Sequence, residues 1–178
     1  MRVHPQVHSR RTALQALACT AAVAAWPALA LEKPTGPVVL TLSGKLRSPN
    51  DGKRAQFDMA MLEKLPQTSF STRTPWYSQP RKFTGPLLRD VLAAAGAGPG
   101  QGATTLRATA LNDYWVELPL EDAARYDLIV ARLLDDKPMA VRDKGPLFMI
   151  YPFDALPELR NPVFYSRSAW QLRSLELR

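Results

Sequence analysis

The sequence predicts an α+β domain with a mainly antiparallel, mixed β core, barrel-like or sandwich-like, and a few short helices. Three observations carry that expectation. Strand-like runs are short, regularly spaced and bounded by clusters of Gly, Pro, Asn and Asp, the punctuation of antiparallel β structure. Only one segment, after Pro86, has a strong helical period, so the strand–helix alternation of a parallel sheet is missing. Residues 31–178 also have a length typical of one domain able to bury a real core.

Residues 1–30 read as a signal peptide. Arg10 and Arg11 form a basic start, the alanine-rich run from Thr12 to Trp26 is the apolar stretch, and Ala28-Leu29-Ala30 supplies the small residues of a cleavage site. The run is broken by Pro27 and is short for a membrane span. Cleavage after Ala30 and export to the periplasm are therefore expected. Ser9-Arg10-Arg11 is in addition a partial twin-arginine signal, the address of a route that exports folded proteins. A lipoprotein acylated at Cys19 is disfavoured, because Ala16 stands where a Leu is needed. The three arginines of this segment account for three of the +7 formal charges, leaving +4 on residues 31–178. That modest, dispersed charge, with no basic helix and no interleaved aromatics, argues against nucleic acid as a partner.

Cysteine and histidine usage is the most restrictive feature. The one cysteine is Cys19 and the two histidines are His4 and His8, so residues 31–178 contain neither. A chain processed after Ala30 would have no disulfide, no Cys or His metal site, no thiol catalysis and no Ser-His-Asp arrangement. Any chemistry then falls to carboxylates, Lys, Arg, Tyr, hydroxyls or a bound cofactor.

Along the rest of the chain, Leu31 to Pro37 reads as an extended leader and Val38 to Gly44 as a β-branched strand. The turn cluster Ser48 to Gly52 leads to a short strand, Arg54 to Asp58, whose Asp58 caps a helix from Met59 to Leu65. Thr68 to Thr74 is hydroxyl-rich and extended, and "PWYSQPRKF" after it reads as a loop. Pro86 opens the clearest helix, with Leu87, Leu88, Val91, Leu92 and Ala95 on one face and Gly96 ending it. Thr104 to Leu111 and Tyr114 to Leu118 form a hairpin about Asn112-Asp113, followed by a short helix, Leu120 to Arg125. Asp127 to Leu134 is a buried strand, Asp135 to Pro138 a turn, Pro146 to Tyr151 a strand and Ala169 to Leu177 the last strand.

The order of these pieces resembles the sulfite-oxidase-like molybdopterin-binding fold. Phe83-Thr-Gly-Pro-Leu-Leu-Arg-Asp-Val-Leu-Ala-Ala-Ala-Gly96 is similar to the family's aromatic, glycine and leucine-rich helix. Ala110-Leu-Asn-Asp-Tyr-Trp115 resembles its Asp-Gly-Tyr hairpin, Gly145-Pro-Leu-Phe-Met-Ile-Tyr-Pro152 its Gly-x-Pro segment, and Trp170 to Leu177 its closing strand. The resemblance implies a molybdopterin cofactor and an oxidoreductase. It also implies a metal-binding cysteine before the helix at Pro86, where this chain has Phe70 to Trp76, "FSTRTPW". A hydroxyl is a poor replacement for a soft, anionic thiolate, so no metal ligand is assigned. The expected function is a non-catalytic periplasmic binding module for a small anionic or ring-bearing ligand, reporting to a membrane-bound partner protein. Two alternatives stand beside it: an active molybdopterin oxidoreductase with a non-thiolate ligand, and an assembly or signalling partner in a cell-envelope complex.

Two segments supply the candidate ligand pocket. In the first, Arg73 offers an anion clamp, Trp76 or Tyr77 a stacking face, and Ser71, Thr72 and Thr74 hydroxyls near the position of the relatives' metal. Arg81 and Lys82 add cations to the same loop. In the second, Arg142 and Lys144 stand at a proline-stiffened turn before an apolar strand, facing an anionic ligand at the pocket mouth. A solvated hairpin turn explains the second equally well. Tyr114 and Trp115 are adjacent in a strand, so one is expected in the core and the other exposed or in the pocket. Asp113 and Glu117 read as turn and surface carboxylates, and Asp135-Asp136 as turn residues. Tyr165 and Arg167 add a phenol and a guanidinium near the closing strand.

Overall fold

A computed structural model describes residues 31–98 and 101–178; the expected leader, with Cys19, His4 and His8, lies outside the described residues. The chain starts with β1 (Val38–Ser43), which turns through Ser48 to Gly52 into β2 (Ala55–Asp58). Asp58 ends β2 and caps α1 (Met59–Lys64), its carboxylate accepting from the Met61 amide at 2.8 Å. β3 (Gln67–Thr74) and β4 (Tyr77–Pro86) form a long antiparallel hairpin. The expected loop "PWYSQPRKF" is thus mostly strand. Pro80 is tolerated because the register shifts between Thr72 and Thr74, and because β4 meets its other neighbour only at Phe83 and Thr84, leaving Pro80 on an edge where no ladder donor is required.

α2 (Leu88–Ala94) follows, with Leu88, Val91 and Leu92 buried as the spacing requires and Gly96 leaving it at φ +67°. β5 (Thr105–Ala110) and β6 (Trp115–Pro119) form the expected hairpin, and α3 (Asp122–Arg125) is a single turn. The buried run after Asp127 is not one strand. It divides into β7 (Ile129–Ala131), which pairs with β10 (Phe148–Ile150), and β8 (Leu133–Leu134), which pairs with β4. Between β8 and β9 (Lys137–Pro138), Asp135 and Asp136 both have positive φ, the conformation of a two-residue hairpin turn. α4 (Pro162–Arg167), capped by Asn161, comes before β11 (Leu172–Leu177).

Three β layers result. The five-stranded sheet has the order β2-β1-β11-β5-β6, the four-stranded sheet β3-β4-β8-β9, and β10 pairs with β7. All of these pairs are antiparallel except β1 with β11. The α+β class with short helices holds, and the sheet is mixed through this one parallel contact. Gly85 shows how tightly the layers meet: a Cβ there would run into the Val130 carbonyl and the Ala131 backbone. Phe83, Phe148, Tyr151 and Phe153 are fully buried in the resulting core.

The turn before β10 also differs from expectation. Val141–Asp143 is a 3-10 turn, Lys144 follows in the left-handed region, and Gly145-Pro146 is a cis peptide. No hairpin spans it, because β9 and β10 belong to different sheets.

Candidate functional site

The β3–β4 turn, the β5–β6 turn, α4 with the residue that ends it, and the approach to β11 converge on one aromatic pocket of about 400 Å3, lined by Trp76, Asn112, Tyr114, Tyr165, Ser166, Ser168 and Trp170. Local chemistry explains each contribution. Asn112 accepts from the Tyr114 amide and holds the hairpin turn, leaving its side-chain NH2 to face a ligand. Asn161 and Pro162 start α4, which delivers Tyr165 and Ser166. The hydroxyl of Ser168 donates to the Phe164 carbonyl, closing that helix.

Aromatic packing sets the walls. The Trp76 ring lies 5.3 Å from Trp170, edge-on, and 5.4 Å from Phe148; Tyr165 stands edge-on to Trp76 at 6.3 Å and to Phe153 at 4.9 Å. Such edge-to-face contacts orient rings beyond what burial alone achieves. The Lys144 ammonium sits 5.2 Å from the Trp170 ring centre and 5.5 Å from that of Tyr77, a cation bracing the indole. Tyr77 is half-buried, and that burial raises its phenol pKa; Arg81 opposes the shift, while Asp143 and Asp135 add to it. No carboxylate lines the pocket.

An adjoining cleft of about 300 Å3 is lined by Arg73, Thr74, Pro75, Asp154, Arg160 and Tyr165. Asp154 pairs with Arg160 at 3.0 Å and accepts from the Arg73 amide at 2.9 Å. The Arg73 side chain forms no ion pair with a described residue.

The residues singled out from sequence separate on this geometry. Trp76 is in the pocket, Arg73 and Thr74 line the cleft beside it, and Lys144 acts from behind Trp170. Thr72 is elsewhere. It is 1% exposed, its hydroxyl accepts from the Asp154 amide at 3.0 Å, and it lines neither cavity. Arg142 is also outside: the 3-10 turn throws it outward, its side chain is 89% exposed, and its one ionic neighbour is Asp143 at 3.6 Å. Arg81 and Lys82 bond to Asp135 and Asp136, and Arg167 bonds to buried Asp122. Tyr114 and Trp115 are both 52% exposed, so neither is core; Tyr114 lines the pocket and Trp115 is covered by Arg107. Asp113 pairs with Arg173, and Glu117 with Arg107 and Arg178, so the two do not form an acid–base couple. Sequence reasoning missed Asn112, Ser166, Ser168 and Trp170 as pocket residues. Of these, Asn112 carried a signal, since it opens the turn.

Neither a protein-family model nor a curated protein matches the chain. Among solved structures it is similar to the sulfane dehydrogenase SoxCD from Paracoccus pantotrophus, with a TM-score of 0.58 at 17% identity over 83% of this chain. The fold is distantly sulfite-oxidase-like. This chain spans 40% of that protein's length, and the likeness concerns the fold alone.

The side chains present do not fit the molybdenum centre that the resemblance implies. Residues 31–178 contain no Cys or His, and among the described residues no cluster of Asp and Glu is placed to hold a metal ion. The hydroxyls of Thr72 and Thr74, in the segment before α2, each accept a backbone amide, from Asp154 at 3.0 Å and from Trp76 at 3.3 Å, and are neutral oxygen donors in place of a thiolate.

Proposed function

We propose that residues 31–178 form a non-catalytic binding module, exported to the periplasm, that holds a small planar ring in the aromatic pocket. One observation carries this reading: two indoles and two phenols frame the pocket, with an amide and two hydroxyls at hand and no carboxylate on the wall. Faces and edges of fixed rings recognise a flat heteroaromatic by stacking, while the Asn112 NH2 donates to a ring acceptor. The neighbouring Arg73 suits an anionic substituent on such a ring. The same scaffold without a thiolate supports binding over redox work, and a membrane-bound protein is the proposed recipient of the signal.

The test uses the native protein from a molybdenum-replete host. Elemental analysis and the fluorescence of oxidised pterin should find neither molybdenum nor pterin at stoichiometric level; finding both would overturn the reading. Planar heteroaromatic acids should quench the fluorescence of the Trp76–Trp170 pair. Tyr114→Ala, at an exposed position, should weaken that binding by about tenfold, the loss of one stacking wall.

A further inference from the structure

A second concavity lies far from the aromatic pocket, at the other end of β11. Trp170 stands just before that strand, whereas Gly44 packs on Leu177 at its end; six residues of strand separate the two by about 20 Å. This open bowl, of about 470 Å3, is lined by Lys45, Arg47 and Lys53 together with Gly44, Gly52 and Gln101. We propose that it binds a multiply charged phosphate group, either a soluble diphosphate or phosphate ester or the headgroup of an anionic phospholipid.

Charge pairing supplies the first argument. Among the described residues twelve of the twenty Lys and Arg pair with carboxylates, whereas Lys45, Arg47 and Lys53, gathered around one bowl, form no ion pair and donate no side-chain hydrogen bond. Residues 1–30 and 99–100 contain no Asp or Glu that could neutralise them. The nearby Asp51 is already committed to Arg54 at 2.6 Å and to Gln56 at 2.9 Å. Three cations around one depression repel one another, and a polyanion between them converts that repulsion into charge-assisted hydrogen bonds.

The second argument is that the frame is built. Gly44 has φ +104°, and a Cβ there would strike the Leu177 carbonyl, so only glycine lets the end of β1 approach the end of β11. The Arg47 and Ser48 backbone amides donate to the Gly96 and Ala95 carbonyls at 3.2 Å each, and the side-chain NH2 of Gln101 donates to the Gly96 carbonyl at 3.0 Å. The wall carrying Arg47 is thereby bolted to the end of α2. Lys45 reaches across so that its ammonium lies 3.1 Å from where a Gly102 Cβ would be. The bowl is larger than one orthophosphate needs, which favours a diphosphate or an esterified phosphate.

Calorimetric titration of the full-length protein with inorganic pyrophosphate tests this directly. Saturable binding should weaken about tenfold or more in the Lys45→Gln/Arg47→Gln/Lys53→Gln variant. All three side chains are exposed, so folding should survive. A charge-matched variant, Arg125→Gln/Lys137→Gln/Arg142→Gln, should bind as the native protein does. Sedimentation with vesicles containing phosphatidic acid, whose headgroup is a phosphate monoester, against phosphatidylcholine alone, separates the sources. Retention that depends on the three residues and is competed by pyrophosphate supports a lipid headgroup, and pyrophosphate binding without retention supports a soluble ligand. The proposal is overturned if the native protein binds neither, or if both variants lose binding equally.

Discussion

Asp58 spends both carboxylate oxygens on backbone amides: Oδ1 accepts from Met61, and Oδ2 from Thr35 and Gly36, each at 2.8 Å. One side chain therefore caps α1 and pins the extended leader against the end of β2. The Gly36 amide is the largest cause of a lowered pKa, followed by that of Met61; burial opposes the shift and Thr35 adds to it. A carboxylate with a depressed folded pKa binds fewer protons folded than unfolded, so its stabilisation is present above the unfolded carboxylate value of about 4. That stabilisation is lost as the pH falls through the lowered folded value. Asp58→Ala should accordingly lower the urea midpoint at pH 7, and the gap from the native protein should narrow on acidification. A gap independent of pH between 7 and 2.5 would show that the cap acts without its charge.

Helix α4 has no fully buried residue of its own; Phe164 packs edge-on against Tyr126 and Tyr151, Tyr165 against Phe153, and one ionic contact is added to these rings. Arg167, in its last turn, donates to Asp122 Oδ2 at 2.9 Å, and the same oxygen accepts from the Tyr151 hydroxyl at 2.7 Å. Tyr151 is fully buried; that burial, and then the bond to Asp122, raise its pKa, so it remains a neutral donor. Asp122→Asn removes the one carboxylate that pairs with the largely buried Arg167 guanidinium among the described residues and should cost about 3 kcal/mol in chemical denaturation. Replacing the whole set, with Asp122→Leu, Tyr151→Phe and Arg167→Met, should recover much of that loss, since no buried polar group is then left unpaired. The lack of a buried stripe also explains why α4 escaped sequence reading: helical periodicity reports burial, and only Asn161-Pro162 marked the start. The amphipathic α2 was legible for the opposite reason. β4 was misread because proline normally argues against a strand, while an edge position removes the objection. β1–β11 is a parallel contact between residues more than a hundred positions apart, which no local pattern encodes.

Across the whole molecule, the aromatic pocket draws on the β3–β4 turn, the β5–β6 turn, α4 and the approach to β11. That dispersal is why sequence offered Trp76, soft signals at Tyr114 and Tyr165 and the turn signal at Asn112, whereas Ser168 and Trp170 become pocket residues only through tertiary placement. β11 is the strand that organises both concavities. It runs through the middle of the five-stranded sheet between β1 and β5, with Leu172, Leu175 and Leu177 buried, and carries the aromatic pocket at one end and the basic bowl at the other. A central strand held by ladders on both sides has no second arrangement through which one end could inform the other. Sites so far apart, with no shared side chain, should behave additively. Trp170→Ala should therefore weaken the binding of planar heteroaromatic acids while leaving pyrophosphate affinity unchanged, and the three bowl substitutions should do the reverse. In the combined variant the two losses should equal those measured singly. A pyrophosphate affinity that falls with Trp170→Ala alone would mean that β11 shifts as a unit, and the two concavities would then be halves of one coupled device.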